Sequence, residues 1–264
     1  MKSILNKDIV LVFLGSFIIV CVILYFNFRN NHSDKNVLKE FNDSGQLIGT
    51  NEYIIKDGDT IIHGKFVNYN ENGIKISEGQ FKNNEPYGLN KYYYQDGKLE
   101  SLCYRENSKI TKEITEYYPN GKVKRYIMFD PLGLEAFIVK YDEQGLTIDF
   151  EGYPVLEIYQ YKIANMKQFN INKKQFLKVG DTLNYSYIIA NIPNATRTFK
   201  INNIGINDSK IKRIFEKLPP NQIDVKEILV KKGKNTIRII VDYQFKDEIV
   251  PVITDTLFFD VKVH

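Results

Sequence analysis

The segment Tyr69-Asn-Glu-Asn-Gly73 returns three times along the chain in altered form, as Tyr94-Gln-Asp-Gly97, Tyr118-Pro-Asn-Gly121 and Tyr141-Asp-Glu-Gln-Gly145. The four glycines follow one another at intervals of 24 residues, and an earlier copy ending at Gly45 lies 28 residues before the first of them. A fixed period of this length is typical of stacked repeats. We therefore predict a repeat array with turns at Gly45, Gly73, Gly97, Gly121 and Gly145.

Each repeat is expected to contain two β-strands and two turns. Asn-Gly and Asp-Gly between alternating apolar runs are the strongest short-range hairpin signal, and the tightest such turn has a positive φ at both central residues. A single hairpin cannot bury its own apolar face, so neighbouring hairpins must pair into a larger sheet to be stable.

Alternation along the strands predicts two different faces, because residues two apart on a strand point the same way. We expect one aromatic stripe to run through Val67, Tyr92, Ile114 and Phe137 and the residues two positions beyond them. The opposite face then supplies the candidate partner surface. Its proposed residues are Phe66, Lys91, Tyr93, Tyr117, Ile138 and Lys140. Tyrosine beside lysine suits contact with protein or glycan, but packing under the C-terminal half, or closure of the sheet on itself, is an equally good alternative.

The Tyr-x-x-Gly and Tyr-x-x-x-Gly turns resemble MORN repeats, together with the leading segments Gly64-Lys-Phe-Val-Asn-Tyr69 and Gly88-Leu-Asn-Lys-Tyr92. The resemblance extends from Val37 to Phe150, although Lys112 and Glu135 stand where a strand-opening glycine is expected. It is greatest to the bacterial variant found in antitoxin-like and cell-envelope proteins. The resemblance implies a β-hairpin ribbon that contacts proteins or lipids and has no chemistry of its own.

The period ends at Tyr153-Pro154, and the remaining residues form short alternating runs. Such runs at intervals of about 10–15 residues predict an antiparallel β-sandwich over residues 153–264. Two of its turns, Leu177–Leu183 and Lys232–Ile237, resemble those of bacterial immunoglobulin-like modules. The predicted fold is therefore all-β apart from an N-terminal helix, with hairpin repeats over residues 37–152.

The N-terminal segment Ile9–Phe26 contains 18 residues without a charge. A helix of this length, at about 1.5 Å per residue, nearly covers a hydrocarbon core of ~30 Å, so it predicts contact with a lipid bilayer. A cleaved signal peptide needs a small-x-small site after the apolar region, and none follows here; a buried core helix is the other alternative. We predict an uncleaved signal anchor over residues 1–28 and a polar tether over residues 29–36.

The orientation of this anchor is less strongly marked, since basic residues flank the span on both sides. The short leading tail contains no folded domain, which favours a cytoplasmic N-terminus. The expected location is the inner membrane, crossed once, with the bulk of the chain in the periplasm.

Composition argues against several functional classes. The net charge of +4 divides into +2 for residues 1–35, −4 for residues 36–150 and +6 for residues 151–264, which is weak support for nucleic-acid binding. Cys21 and Cys103 are not expected to form a disulfide, and the histidines at positions 32, 63 and 264 have no metal-ligand spacing. Asp57-Gly58-Asp59 is expected to be a plain turn. No cofactor motif and no positioned acid, base or nucleophile is present, so we predict a non-enzyme without cofactor or metal.

Two functions follow from these observations. The leading hypothesis is a membrane-anchored bacterial envelope protein that acts as a binding or scaffold module through its hairpin repeats, with a protein or an envelope polymer as the partner. The alternative is an antitoxin- or immunity-like protein that sequesters a toxin.

Overall fold

The computed structural model describes residues 36–158, 177–245 and 252–264. They form two units, of which the first is one continuous sheet. Its ten strands are β1 (Asn36–Phe41), β2 (Leu47–Lys56), β3 (Asp59–Tyr69), β4 (Lys75–Lys82), β5 (Glu85–Tyr93), β6 (Leu99–Arg105), β7 (Thr111–Tyr117), β8 (Val123–Phe129), β9 (Glu135–Tyr141) and β10 (Thr147–Gly152).

The second unit contains two smaller sheets and one short 3-10 helix at Asp208–Lys210. Its strands are β11 (Val155–Ile158), β12 (Thr182–Ile189), β13 (Ala195–Asn203), β14 (Arg213–Leu218), β15 (Gln222–Ile228), β16 (Gly233–Phe245) and β17 (Val252–Val263). Strands thus dominate the described residues, in agreement with the predicted fold class. The predicted membrane segment, residues 9–26, lies outside the described residues. Within the described ranges, no helix has the length and apolar character needed to cross a membrane.

The ten strands of the first sheet pair in sequence order, each antiparallel to the next. This is the ribbon of hairpins that the 24-residue period predicts. The five repeat turns differ from the predicted two-residue form, however. In each, the residue three before the glycine accepts the glycine N–H and donates its own N–H to the residue after the glycine, as in Gly73 N to Asn70 O at 2.9 Å and Asn70 N to Ile74 O at 2.8 Å.

Only the glycine of these five turns has a positive φ, between 73° and 87°. A three-residue loop with a left-handed glycine at its end adds one unpaired residue and bulges the strand. Two-residue turns with positive φ at both positions do occur, but at the opposite ends of the strands. They are formed by Asp57-Gly58, the plain turn expected there, and by Asn83-Asn84.

Hydrogen bonds from one turn to the next link the repeats. The Tyr94 hydroxyl donates to the Tyr117 carbonyl at 2.6 Å, and the Tyr118 hydroxyl donates to the Tyr141 carbonyl at 3.0 Å. Side-chain amides do the same in other turns. These are Gln46 to Glu71 O, Asn70 to Gln95 O and Asn120 to Glu143 O. We call this set of bonds the turn ladder, and it explains why tyrosine and amide residues recur beside the repeat glycines.

The two smaller sheets pack as a sandwich around one apolar core. One sheet has the order β11-β12-β15-β14 and the other the order β13-β16-β17. If the seven strands are lettered A to G, these orders are ABED and CFG, the arrangement of a constant-type immunoglobulin domain. Glu227, fully buried, accepts hydrogen bonds from Tyr185, Asn203 and Arg213, so its charge is paired inside the sandwich.

The turn ladder predicts a measurable loss of stability on removal of a single hydroxyl. Tyr94→Phe and Tyr118→Phe should each lower the free energy of unfolding by about 1 kcal/mol, because each leaves a carbonyl without its donor. Equilibrium urea unfolding of the variants checks this.

The matched control is Tyr69→Phe, since the Tyr69 hydroxyl has no hydrogen-bond partner in the described part of the chain. A loss for Tyr94→Phe that is no larger than the loss for Tyr69→Phe would contradict a stabilising ladder.

Candidate binding groove on the repeat sheet

The strand register divides the repeat sheet into two faces. Directly paired residues share a face, and the pairings join Val67, Glu78, Lys91, Leu102, Thr115, Tyr126 and Val139 into one row across the sheet. We call the face with this row the junction face. The neighbouring row, on the other face, contains Asn90, Cys103, Ile114, Ile127 and Ile138. We call that side the groove face.

The register contradicts the predicted single aromatic stripe. Val67 and Phe137 lie on the junction face, whereas Tyr92 and Ile114 lie on the groove face. Residues in one row recur at the same 24-residue spacing as the glycines, and the four stripe residues do not have that spacing. The aromatic row that does have it is formed by Tyr69, Tyr93, Tyr117 and Tyr141, each at the bulge before its turn.

The six predicted partner-surface residues are consequently split between the faces. Phe66, Ile138 and Lys140 belong to the groove face, and Lys91, Tyr93 and Tyr117 belong to the junction face. Phe66 is buried against Phe81, with ring centroids 5.0 Å apart, so it contributes to the packing of the sheet.

Lys91 and Tyr93 are held in a polar cluster around Glu78 on the junction face. The Glu78 carboxylate accepts from the Tyr93 hydroxyl at 2.6 Å and meets Lys75 at 2.7 Å and Lys91 at 3.2 Å. These partners, Lys75 first, lower the pKa of Glu78 to about 2. The two predicted contact residues therefore already have partners within the sheet.

The sandwich covers the junction face at its C-terminal end. Side chains of β8 and β9, among them Tyr126, Phe137 and Val139, are buried in the same core as the sandwich strands. The Tyr141 hydroxyl donates to the Pro193 carbonyl at 2.9 Å. Of the two alternatives for the sheet surface, packing against the C-terminal half thus applies to this part of the junction face.

A polar network crosses the same contact. Asn191 donates its backbone N–H to the Tyr126 hydroxyl at 2.8 Å and its side-chain amide to Glu113 at 3.1 Å. Tyr126 in turn donates to Glu113 at 3.0 Å. Burial raises the pKa of Glu113, partly opposed by the bonds from Tyr126 and Asn191 and by the charge of Arg197.

The groove face carries a groove of about 540 Å³ across β5 to β8. Its volume is in the range of ligand pockets, about 300–1,000 Å³. Tyrosines stand at one side, cations and carboxylates along it, and small residues at its middle. The lining residues are Tyr92, Tyr94, Glu100, Ser101, Cys103, Arg105, Ile114, Glu116, Tyr117, Lys124 and Arg125.

The charges in the groove are only partly paired. Arg125 binds Glu116 through two nitrogens, at 2.6 and 3.2 Å. Arg105, at the end of β6, has no carboxylate partner among the described residues, and its buried Nε has no acceptor there. Burial raises the pKa of the neighbouring Cys103 thiol, which keeps it protonated and weakens it as a nucleophile.

A second cleft, of about 760 Å³, separates the repeat turns from the sandwich. Its walls include Tyr117, Val123 and Leu146 on the sheet and Thr196 and Phe245 on the sandwich. Phe245 directly precedes residues that lie outside the described ranges, so we assign no ligand to this cleft.

No group of three metal-ligating side chains occurs within residues 36–158, 177–245 and 252–264. His63 lies 3.3 Å from the Asn83 side chain beside a two-residue turn. Sequence reasoning did not single out Arg105, Ser101, Lys124 or Arg125 as groove residues. Strict application of the 24-residue spacing is the signal that would have grouped Tyr92 with Glu116 and Lys140 in one row.

Comparison with known families identifies the repeats. Residues 62–83, 86–107 and 110–130 match the model of the MORN repeat variant family. The chain is therefore a MORN-repeat protein over this part of the sheet, and MORN repeats suggest a binding or scaffold role. The flanking hairpins, β1–β2 and β9–β10, continue the same sheet outside the matched residues.

Other comparisons add no function. No curated protein matches the sequence. Two crystal structures are similar to parts of the chain at 10% identity: TarM, with a TM-score of 0.21 over 48% of this chain, and a mutant of S. aureus TarM in complex with fondaparinux, alpha-GlcNAc-glycerol and UDP, with a TM-score of 0.22 over 49%. The chain spans only 22% and 21% of the mutant and of TarM respectively. Likeness at this level carries no argument.

The buried Glu113 predicts a pH dependence of the contact between sheet and sandwich. A carboxyl group whose pKa is raised by folding contributes stability at low pH and loses it as the pH rises through the folded-state pKa. Glu113→Gln keeps an acceptor for Tyr126 but cannot ionise. The melting temperature of the variant relative to the wild type should therefore increase as the pH is raised from 4 to 8, by roughly 2–4 °C per kcal/mol.

Calorimetric melting of both proteins across that range measures the difference, and Glu143→Gln, in an exposed turn, is the control. A difference between Glu113→Gln and wild type that stays constant with pH would contradict the assignment.

Proposed function

We propose that this protein is a membrane-anchored, non-catalytic binding module of the bacterial cell envelope, which holds its ligand on the groove face of the repeat sheet. The observation that carries the proposal is the difference between the two faces. The sandwich covers the junction face at β8 and β9, whereas the groove face has an open groove lined by tyrosines and charges. The MORN-type repeats supply the independent suggestion of a binding role.

The groove suits binding better than catalysis. Glu116 and Arg125 neutralise each other, and the one thiol, Cys103, is held protonated by burial. A reaction site needs an acid, base or nucleophile that is aimed at a substrate atom. Tyr92 and Tyr94 instead offer flat apolar area together with hydroxyl groups, which favours recognition of another molecule.

The sequence supplies the argument for the membrane. The uncharged segment Ile9–Phe26 has the length of a single span, and β1 starts at Asn36, directly after the predicted tether. An anchor next to the first repeat would keep the repeat sheet close to the bilayer. The sandwich, at the other end of the sheet, would then lie furthest along the chain from the anchor.

The location is tested by protease accessibility of a chain tagged at His264. In spheroplasts with an intact inner membrane, we expect protease to remove the tag and degrade the repeat sheet, since the bulk of the chain would lie outside that membrane. Immunoblotting for the tag measures the loss. A cytoplasmic protein that stays intact in the same sample is the control for membrane integrity.

Protection of the tag until lysis would overturn the envelope location and place the repeats in the cytoplasm. In that case the antitoxin- or immunity-like alternative becomes the better hypothesis. Recovery of the protein in the soluble fraction, with its N-terminus shortened, would instead overturn the anchor.

A further inference from the structure

Arg105 is a partly buried cation without a counter-ion. The other partly buried arginines with a carboxylate nearby use it: Arg125 binds Glu116, and Arg213 binds Glu227 at 2.6 Å. Arg105 instead contacts the Cys103 thiol, and its Nε lacks an acceptor within the described chain. A buried donor left without an acceptor costs free energy, more so on a charged group, and commonly marks a place that another molecule completes.

The position of Arg105 gives that vacancy a direction. The residue lines one end of the groove, at the end of β6 remote from the repeat turns, while Tyr94 and Lys124 line the end near those turns. Between the two ends lie Ser101, Cys103 and Ile114, which are small or apolar. The groove therefore offers one cationic end, a narrow apolar middle and an aromatic end.

The carboxylates in the groove restrict the ligand further. Glu100 and Glu116 both line it, and no ion pair is formed by Glu100 among the described residues. A polymer with a negative charge on every unit would place some of those charges against Glu100 and Glu116. A ligand with one acidic group at the Arg105 end, and neutral or basic groups elsewhere, matches the groove in sign along its length.

We propose that the groove binds an extended peptide segment of a partner protein and that Arg105 holds the carboxylate of one acidic residue in that segment. This inference rests on the proposed binding function and names the ligand class of the same site. The planar guanidinium can present two parallel N–H donors to a carboxylate, a geometry that lysine lacks. Tyr92 and Tyr94 contact apolar or aromatic side chains of the peptide, and Glu100 favours a basic residue near them.

The test uses a library of random heptapeptides displayed on phage and the full-length protein in detergent micelles. Peptides enriched on the wild type should share one Asp or Glu. A synthetic copy of an enriched peptide should bind Arg105→Gln at least about tenfold more weakly than wild type, the loss expected for one charge-assisted hydrogen bond. Replacing the peptide's acidic residue by its amide should weaken binding to the wild type by a similar factor and to Arg105→Gln very little.

Two further variants keep the result interpretable. Arg105→Lys retains the charge but not the fork of donors and should show an intermediate loss. Lys91→Gln, on the junction face, should leave binding unchanged. Circular dichroism and melting curves show whether each variant is folded.

Each contrary result has its own meaning. Enriched peptides without a shared acidic residue, or equal binding to folded wild type and Arg105→Gln, would overturn the role of Arg105 but leave the groove as a binding site. Failure to enrich any peptide, together with binding of inorganic polyphosphate that Arg105→Gln reduces, would overturn the peptide proposal in favour of a polyanion. Neither result bears on the location of the protein, which protease accessibility decides separately.

Discussion

The hydrogen bonds of the turn ladder are the interaction on which the rest of the structure depends. Each links a tyrosine hydroxyl or a side-chain amide in one turn to a backbone carbonyl in the next, at distances of 2.6 to 3.2 Å. Strand pairing alone joins neighbouring hairpins, but the ladder also fixes their spacing at the turn ends. The groove lies across four strands of this array, so its shape is set by the spacing from one repeat to the next.

The sandwich has a second role, which is to close one face of the sheet. An antiparallel sheet can bury one face and expose the other. Here the apolar residues of β8 and β9 enter the sandwich core, and the network of Glu113, Tyr126 and Asn191 joins the two units through polar bonds. The contact leaves the groove on the opposite side. The cover on one face and the groove on the other are thus consequences of a single packing arrangement.

The sequence is sufficient to predict the hairpin array, because its glycines recur at a strict spacing and each hairpin pairs with its neighbour. It is not sufficient to predict the faces. The left-handed glycines add a bulge at every repeat turn, and the predicted stripe followed residue type from Val67 to Tyr92 instead of the 24-residue spacing from Val67 to Lys91. The contact of Asn191 with Glu113 joins residues 78 positions apart, and no local pattern indicates such a pair. Arg105 was missed for a similar reason, since its lack of a counter-ion is visible only when its neighbours on β5 and β7 are in place.

The most direct test of binding through the groove face is photo-cross-linking in living cells. A photoreactive phenylalanine is placed at Ser101, within the groove, and in a second protein at Lys91, on the junction face. We predict that irradiation joins a partner to the chain substituted at Ser101 and not to the chain substituted at Lys91. Adducts formed only from Lys91, or equally from both positions, would contradict the account, because the ligand would then not be held by the groove face.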